Sequence, residues 1–198
     1  MWNEDMRKDR FMDAFNESLD RLKMDYVDMY MLHWPVPMKY VKSWKAMEKI
    51  YETKKARAIG VSNFNIQQLE DLRAISDIIP AVNQCEFHPF FYQPELRRYC
   101  WNHGIACEAY KPLGQGFYLD NEKLAGIARK YDKTITQILI RWHLQSGIIA
   151  IPKATHNEYI RANIEVFDFE LESQDMFEIN AMDTGRSTND CTPACFDF

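Results

Sequence analysis

No Gly-x-Gly-x-x-Gly follows any apolar run of this chain and no Gly-x-x-x-x-Gly-Lys-Ser/Thr occurs in it, so neither standard glycine-rich phosphate cradle is present. No apolar stretch approaches the roughly 20 residues that cross a bilayer, and the opening MWNEDMRKDR is charged, so no membrane partner is expected. Positive charge is not in excess either: the net charge of −5 over 198 residues speaks against nucleic acid as a partner. Cysteine is sparse and odd in number. Five residues, Cys85, Cys100, Cys107, Cys191 and Cys195, make no disulfide framework and point to reduced thiols in a cytoplasmic protein. Cys191 and Cys195 form a close pair that can be read as metal-binding, but no second pair accompanies it, and no metal site is expected. Low-complexity segments and linkers are also missing, which leaves residues 1–198 as a single domain.

What the chain does have is a repeated grammar. With 46% apolar and 27% charged residues it can build an ordinary folded core. The run Tyr26–Leu32 reads as a buried strand that stops at His33, Trp34 and Pro35. Four more short apolar runs end in polar or aromatic groups. Arg57–Val61 leads to Ser62 and Asn63, and Ala81–Cys85 carries Asn83 and Gln84. Ile105–Ala109 leads to Tyr110 and Lys111, and Ile148–Ile151 to Pro152 and Lys153. Between them lie helical patterns. Phe11, Phe15, Leu19 and Leu22 predict one helix over Arg7–Leu22, and Val41, Trp44, Met47 and Tyr51 predict a second. Asn65 with Gln68, and Thr134 with Gln137, are capping boxes that open two more. Pro94 opens a helix that Gly104 ends, Asn121–Tyr131 precedes the Thr134 helix, and Asn157–Asn163 and Ser173–Met182 follow the last strand. The tail from Asp183 is polar and reads as irregular. Strand and helix alternate at the spacing of βαβ units, and strands apolar throughout must be covered on both faces. The fold class is α/β, either a doubly wound sheet or a barrel. The missing dinucleotide fingerprint favours the barrel.

In either architecture chemistry gathers at the carboxyl ends of the strands. His33 can polarise a carbonyl through an imidazole N–H, or be satisfied by a neighbouring backbone group. Ser62, Asn63 and Gln84 can orient another amide, although turn-making and capping suit Ser62 and Asn63 as well. Tyr110 offers a flat face for stacking or is core rim, and Lys153 can meet a phosphate or be merely solvated. A carbonyl polariser, an amide clamp, an aromatic face and a phosphate lysine on one rim together describe a nicotinamide cofactor site.

The segments DYVDMYMLHWP, RAIGVSNF, PAVNQCEFHPF, AYKPLGQG, IPKATHNEYIRANI and VFDFEL, in that order, resemble successive segments of the aldo-keto reductase family, in particular its bacterial diketogluconate-reductase-like and glyoxal-reductase-like members. The resemblance implies a (β/α)8 TIM barrel, here incomplete with about five parallel strands. It implies NADPH as cofactor, with NADH possible, and a small-molecule carbonyl substrate, an aldehyde or ketone reduced to an alcohol. By matching motif, His33 resembles the substrate-orienting catalytic histidine and Trp34 a wall of the substrate pocket. Ser62, Asn63 and Gln84 resemble the residues that hold the nicotinamide carboxamide, and Tyr110 the residue stacked on its ring. Leu113 resembles a pyrophosphate contact, Lys153 the lysine at the 2′-phosphate and Asn163 an adenine contact.

The chain also departs from the family pattern. Lys111 stands where serine is usual, Ala154 where serine or threonine is common, Tyr159 in place of an arginine and Ala162 in place of a glutamate. Met1-Trp2 matches the end of the family's T-K-x-W, so the catalytic aspartate, tyrosine and lysine have no counterpart, and the first three strands fall outside the match. The expectation is a chain inactive by itself. The alternative is a non-catalytic module that binds cofactor or regulates a partner. Sheet edges left open on this reading predict self-association.

Overall fold

Five short stretches that the sequence marks by apolar runs become strands, and the segments with helical spacing wrap between them. The computed structural model describes residues 1–189. In chain order the elements are α1 (Asn3–Arg7), α2 (Phe11–Leu22), β1 (Val27–Leu32), α3 (Tyr40–Glu52), β2 (Ala56–Ser62), α4 (Ile66–Arg73), β3 (Val82–Glu86), α5 (Pro94–Asn102) and β4 (Ala106–Tyr110). A short 3₁₀ turn at Gly114–Gly116 precedes α6 (Glu122–Lys130), α7 (Ile135–Gln145), β5 (Ile148–Ala150), α8 (Asn157–Ile164) and α9 (Ser173–Asn180). The sheet is parallel, with strand order β1-β2-β3-β4-β5. Strand and helix alternate along the chain as βαβ spacing requires. The α/β class follows.

The chain divides into two compact units, one formed by residues 1–84 with 96–106 and the other by 85–95 with the described part of 107–190. In the first, β1 pairs with β2 from Val27 opposite Ala56 to Leu32 opposite Val61. Phe15 of α2 meets Tyr30 edge-on at 4.9 Å, and Trp44 of α3 is fully buried with its indole N–H on the Ile78 carbonyl at 3.3 Å. The Met1 carbonyl accepts from the His33 N–H at 3.1 Å, so the outer edge of β1 is met at its end by the chain's own backbone.

One expected element is different. The helix expected over Arg7–Leu22 begins only at Phe11, and a short α1 ends at Arg7 before it, because Asp9, with a φ of 55°, cannot continue a right-handed helix. The Asp9 carboxylate is held there by Lys39 at 3.0 Å and Lys42 at 2.7 Å. Periodicity around Asp9 carries no trace of two lysines thirty residues away.

The second unit has its own core, with Tyr118, Leu124, Ile138, Leu139, Trp142 and Ile179 buried together. Trp142 donates its indole N–H to Asn180 Oδ1 at 2.8 Å. His143 is wholly buried, with its Nδ1 2.7 Å from the Leu139 carbonyl and its Nε2 3.0 Å from the Phe87 carbonyl. Each unit has a capping box on a helix: Asn65 with Gln68 opens α4 and Thr134 with Gln137 opens α7. Residues 183–189 have no helix or strand, and Cys191 and Cys195 lie outside the described residues.

Candidate active site

In the first unit the strand ends are built from neutral groups. Parallel pairing of β2 with β3 sets Ser62 opposite Gln84 at the carboxyl end of the sheet. The Ser62 hydroxyl and the Asn63 N–H both donate to the Gln84 carbonyl, at 2.8 and 2.9 Å. Asn63 has a φ of 66°, a left-handed conformation that asparagine tolerates better than most residues. That turn folds its side chain back, so that Nδ2 donates to the His33 carbonyl at 3.1 Å and to Ser62 Oγ at 3.0 Å. Asn83 grips the next residue, donating to the Phe64 carbonyl at 2.9 Å. His33, Ser62, Asn63 and Gln84 are thus brought together by hydrogen bonds. Ser62 and Asn63 are buried, as is Trp34.

The His33 ring stacks on Trp2 at 4.4 Å and meets Trp34 edge-on at 6.0 Å. Its Nδ1 is buried without a hydrogen-bond partner. Burial holds the His33 imidazole below its usual range, because a protonated ring would have to leave an Nδ1–H unsatisfied. The ring is therefore neutral at pH 7. With its one proton on Nε2 it is a donor suited to a carbonyl oxygen.

The second unit holds the other candidates. Tyr110 ends β4, and Leu113, half-buried against the core, immediately precedes the 3₁₀ turn. Lys153 is exposed three residues past β5, and Asn163 lies half-buried on α8. Tyr110 and Lys111 are joined through one side chain: Asn189 Nδ2 donates to the Tyr110 hydroxyl at 2.9 Å and Asn189 Oδ1 accepts from Lys111 Nζ at 2.6 Å. Burial, and after it the negative charge of Glu86, push the Tyr110 hydroxyl far up, so it stays protonated.

Several polar residues here were not singled out in the sequence. Glu86, at the end of β3, is buried yet charged. Burial alone would raise its carboxyl, but donors from His88, Ser187 and Thr188 outweigh that and hold it at about 2. His88 Nε2 stands 3.0 Å from the carboxylate as a donor, and its Nδ1 meets the Tyr118 hydroxyl. Tyr118 reaches His88 past Gly114, where a Cβ would run into the tyrosine ring. The available signal was strand alternation, since Gln84 and Glu86 are two apart in β3 and share one face. Nothing local marked Glu86 as buried.

Among the described residues no group of three or more His, Cys, Asp or Glu side chains is placed to hold a metal ion, and no helix is long and apolar enough to cross a membrane.

A family model described as the Aldo/keto reductase family matches residues 1–184. "Uncharacterized oxidoreductase YtbE" of Bacillus subtilis (strain 168) is 48% identical over 198 residues, which are 100% of this chain and 70% of that protein. Glyoxal reductase of the same organism is 48% identical over 182 residues, 92% of this chain and 66% of the relative. Among solved structures, a Bombyx mori aldo-keto reductase in complex with NADP superposes with a TM-score of 0.90 at 34% identity, covering 96% of this chain and 68% of that one. The chain thus spans about two thirds of the length of such relatives.

Proposed function

The chain belongs to the aldo/keto reductase family, and from that premise we propose that it is the cofactor-binding and substrate-orienting part of a cytoplasmic, NADPH-dependent reductase of aldehydes and ketones. On this reading residues 1–198 are one incomplete barrel domain. Ser62, Asn63 and Gln84 hold the nicotinamide carboxamide, Tyr110 stacks on the ring, and Leu113 lies at the pyrophosphate. Lys153 meets the 2′-phosphate and Asn163 the adenine. Neutral His33 donates to the substrate oxygen while hydride passes from the nicotinamide to the carbonyl carbon, and Trp34 lines the pocket. The observation that carries the reading is the closed set of bonds among the His33 and Gln84 carbonyls and the Ser62 and Asn63 side chains, which fixes the ends of adjacent strands and the residues they carry. A relative named glyoxal reductase and a neighbour in complex with NADP support the reaction class and the cofactor.

The 198 residues carry no counterpart of the family's proton-donating tyrosine, and a positioned general acid contributes about 10²–10⁴ in rate. We therefore propose that they bind NADPH without turning over a carbonyl by themselves, which is also what a non-catalytic module would do. Self-association through β1 and β5 accompanies this reading, since each is an end strand of the sheet. Fluorescence titration with NADPH and NADH, and an assay of NADPH oxidation with glyoxal, test it. Lys153→Ala should weaken NADPH much more than NADH, because only NADPH has the phosphate that the ammonium meets. Equal weakening of both would remove Lys153 from the site.

A further inference from the structure

Residues 183–189 form a strap tied down at both ends. The Thr184 and Arg186 N–H groups donate to the Phe90 carbonyl, at 3.2 and 3.0 Å, and Asp183 Oδ1 accepts from the Tyr92 N–H at 3.3 Å. At the other end Thr188 N–H donates to Glu86 Oε1 at 2.7 Å, and the Ser187 and Thr188 hydroxyls donate to the same carboxylate. Asn189 completes the seat with Nδ2 on Glu86 Oε2 at 2.8 Å, while the same side chain holds Tyr110 and Lys111. The amide can face only one way. Reversed, it would set its oxygen against a carboxylate and its NH₂ against an ammonium.

We infer that Glu86 and Asn189 are positioning residues for Tyr110: the strap, seated on the Glu86 carboxylate, holds the Tyr110 ring by its hydroxyl and so presets the face on which a nicotinamide ring stacks. This rests on the reading of Tyr110 as the stacking residue of the proposed cofactor site. A tyrosine at a strand end otherwise samples several ring orientations, and a ligand that needs one of them bears the cost of selecting it. Here the selection is made before any ligand arrives. His88 shares Glu86 Oε1 with Thr188 and is bonded in turn to Tyr118, whereas Asn189 is on Oε2, so Asn189→Ala releases Tyr110 without removing a bond of that buried pair.

The test titrates the 198-residue chain and two variants, Asn189→Ala and Glu86→Gln, with NADPH and with adenosine 2′,5′-bisphosphate, which lacks the nicotinamide. Backbone hydrogen exchange is read over 183–189. Asn189→Ala should lower NADPH affinity about three- to tenfold, the size of one aromatic stacking contact, and leave the bisphosphate unchanged. Glu86→Gln should give the same split together with faster exchange across the strap. Asn189 sits on the strap and not in the core, so its variant reads the effect even if Glu86→Gln does not fold. A loss shared equally by both ligands, or none for NADPH, overturns the positioning role while the cofactor site stands. A wild-type chain that binds neither nucleotide overturns the cofactor reading and this inference with it.

Discussion

The strand ends of the first unit and the Glu86 seat of the second both bury polar groups, but by different means. Around Ser62 and Asn63 the bonds join neutral groups, with main-chain carbonyls of Gln84 and His33 together with Ser62 Oγ as acceptors. Around Glu86 a full charge is buried, and besides His88 two positions on, its donors come from residues 101 to 103 positions later in the chain. A neutral cluster fixed by its own strands tolerates the loss of one member. A buried charge does not, because each donor left behind still pays its desolvation.

That contrast is open to measurement, and the largest effect belongs to Glu86. Glu86→Ala leaves the His88 N–H, the Thr188 N–H and the Asn189 amide without their acceptor, and should cost about 3 kcal/mol or more in a urea melt. Ser62→Ala removes two bonds between neutral groups, one to the Gln84 carbonyl and one from Asn63 Nδ2, and should cost about 1–2 kcal/mol by the same measurement. Equal costs would mean that the charge is better hydrated than its burial implies.

The pH dependence should differ between the sites as well. Glu86 titrates at about 2 in the folded chain against 4.5 as a free carboxyl, so the unfolded state takes up protons first as pH falls. Its contribution to stability is complete above about pH 4.5 and is lost as pH drops toward 2. His33 is also depressed, from 6.5, so its contribution is complete above that value and begins to be lost as pH falls below it. Stability followed from pH 8 downward should show a first decline, shared with the buried Met1 amino group that is lowered from 8.0 to about 6, that His33→Gln reduces, and a second one at lower pH that Glu86→Gln removes. A second decline surviving in Glu86→Gln would assign it to other carboxylates.

The smallest effect is a control on which the two units should agree. Asn65→Ala at α4 and Thr134→Ala at α7 each break one capping box and should each cost about 1 kcal/mol. A much larger cost at Thr134 would show that Gln137, which also donates to the Ala162 and Glu165 carbonyls at 3.2 Å, needs its cap to hold the end of α8.

What was legible in the sequence tracks the range of the forces involved. The five strands were readable because short apolar runs and their polar ends are local, and the observed bounds differ from the expected ones by a residue or so. Both capping boxes were readable for the same reason. Ser62, Asn63 and Gln84 could be picked out because a strand end is itself a local signal, although their mutual bonds required the register of β2 on β3. The break at Asp9 was hidden, since Lys39 and Lys42 lie on a different element. Glu86 fell just past the expected strand Ala81–Cys85, and Asn189 in a tail that read as polar and irregular. Their partnership is a long-range contact with no pattern in either neighbourhood.

The separation between Glu86 and its donors also sets an order in time. A ribosome adds about 5–20 residues per second, so β3 emerges on the order of 5–20 s before Asn189 does. Throughout that interval the carboxylate cannot be enclosed by the strap, and water must hydrate it. The end of β3 and the ring of Tyr110 should therefore be the last parts of the second unit to become rigid during synthesis. On the same grounds they should be among the first to loosen when the finished chain is challenged, since closing so long a loop is the entropic step that the strap's bonds have to offset.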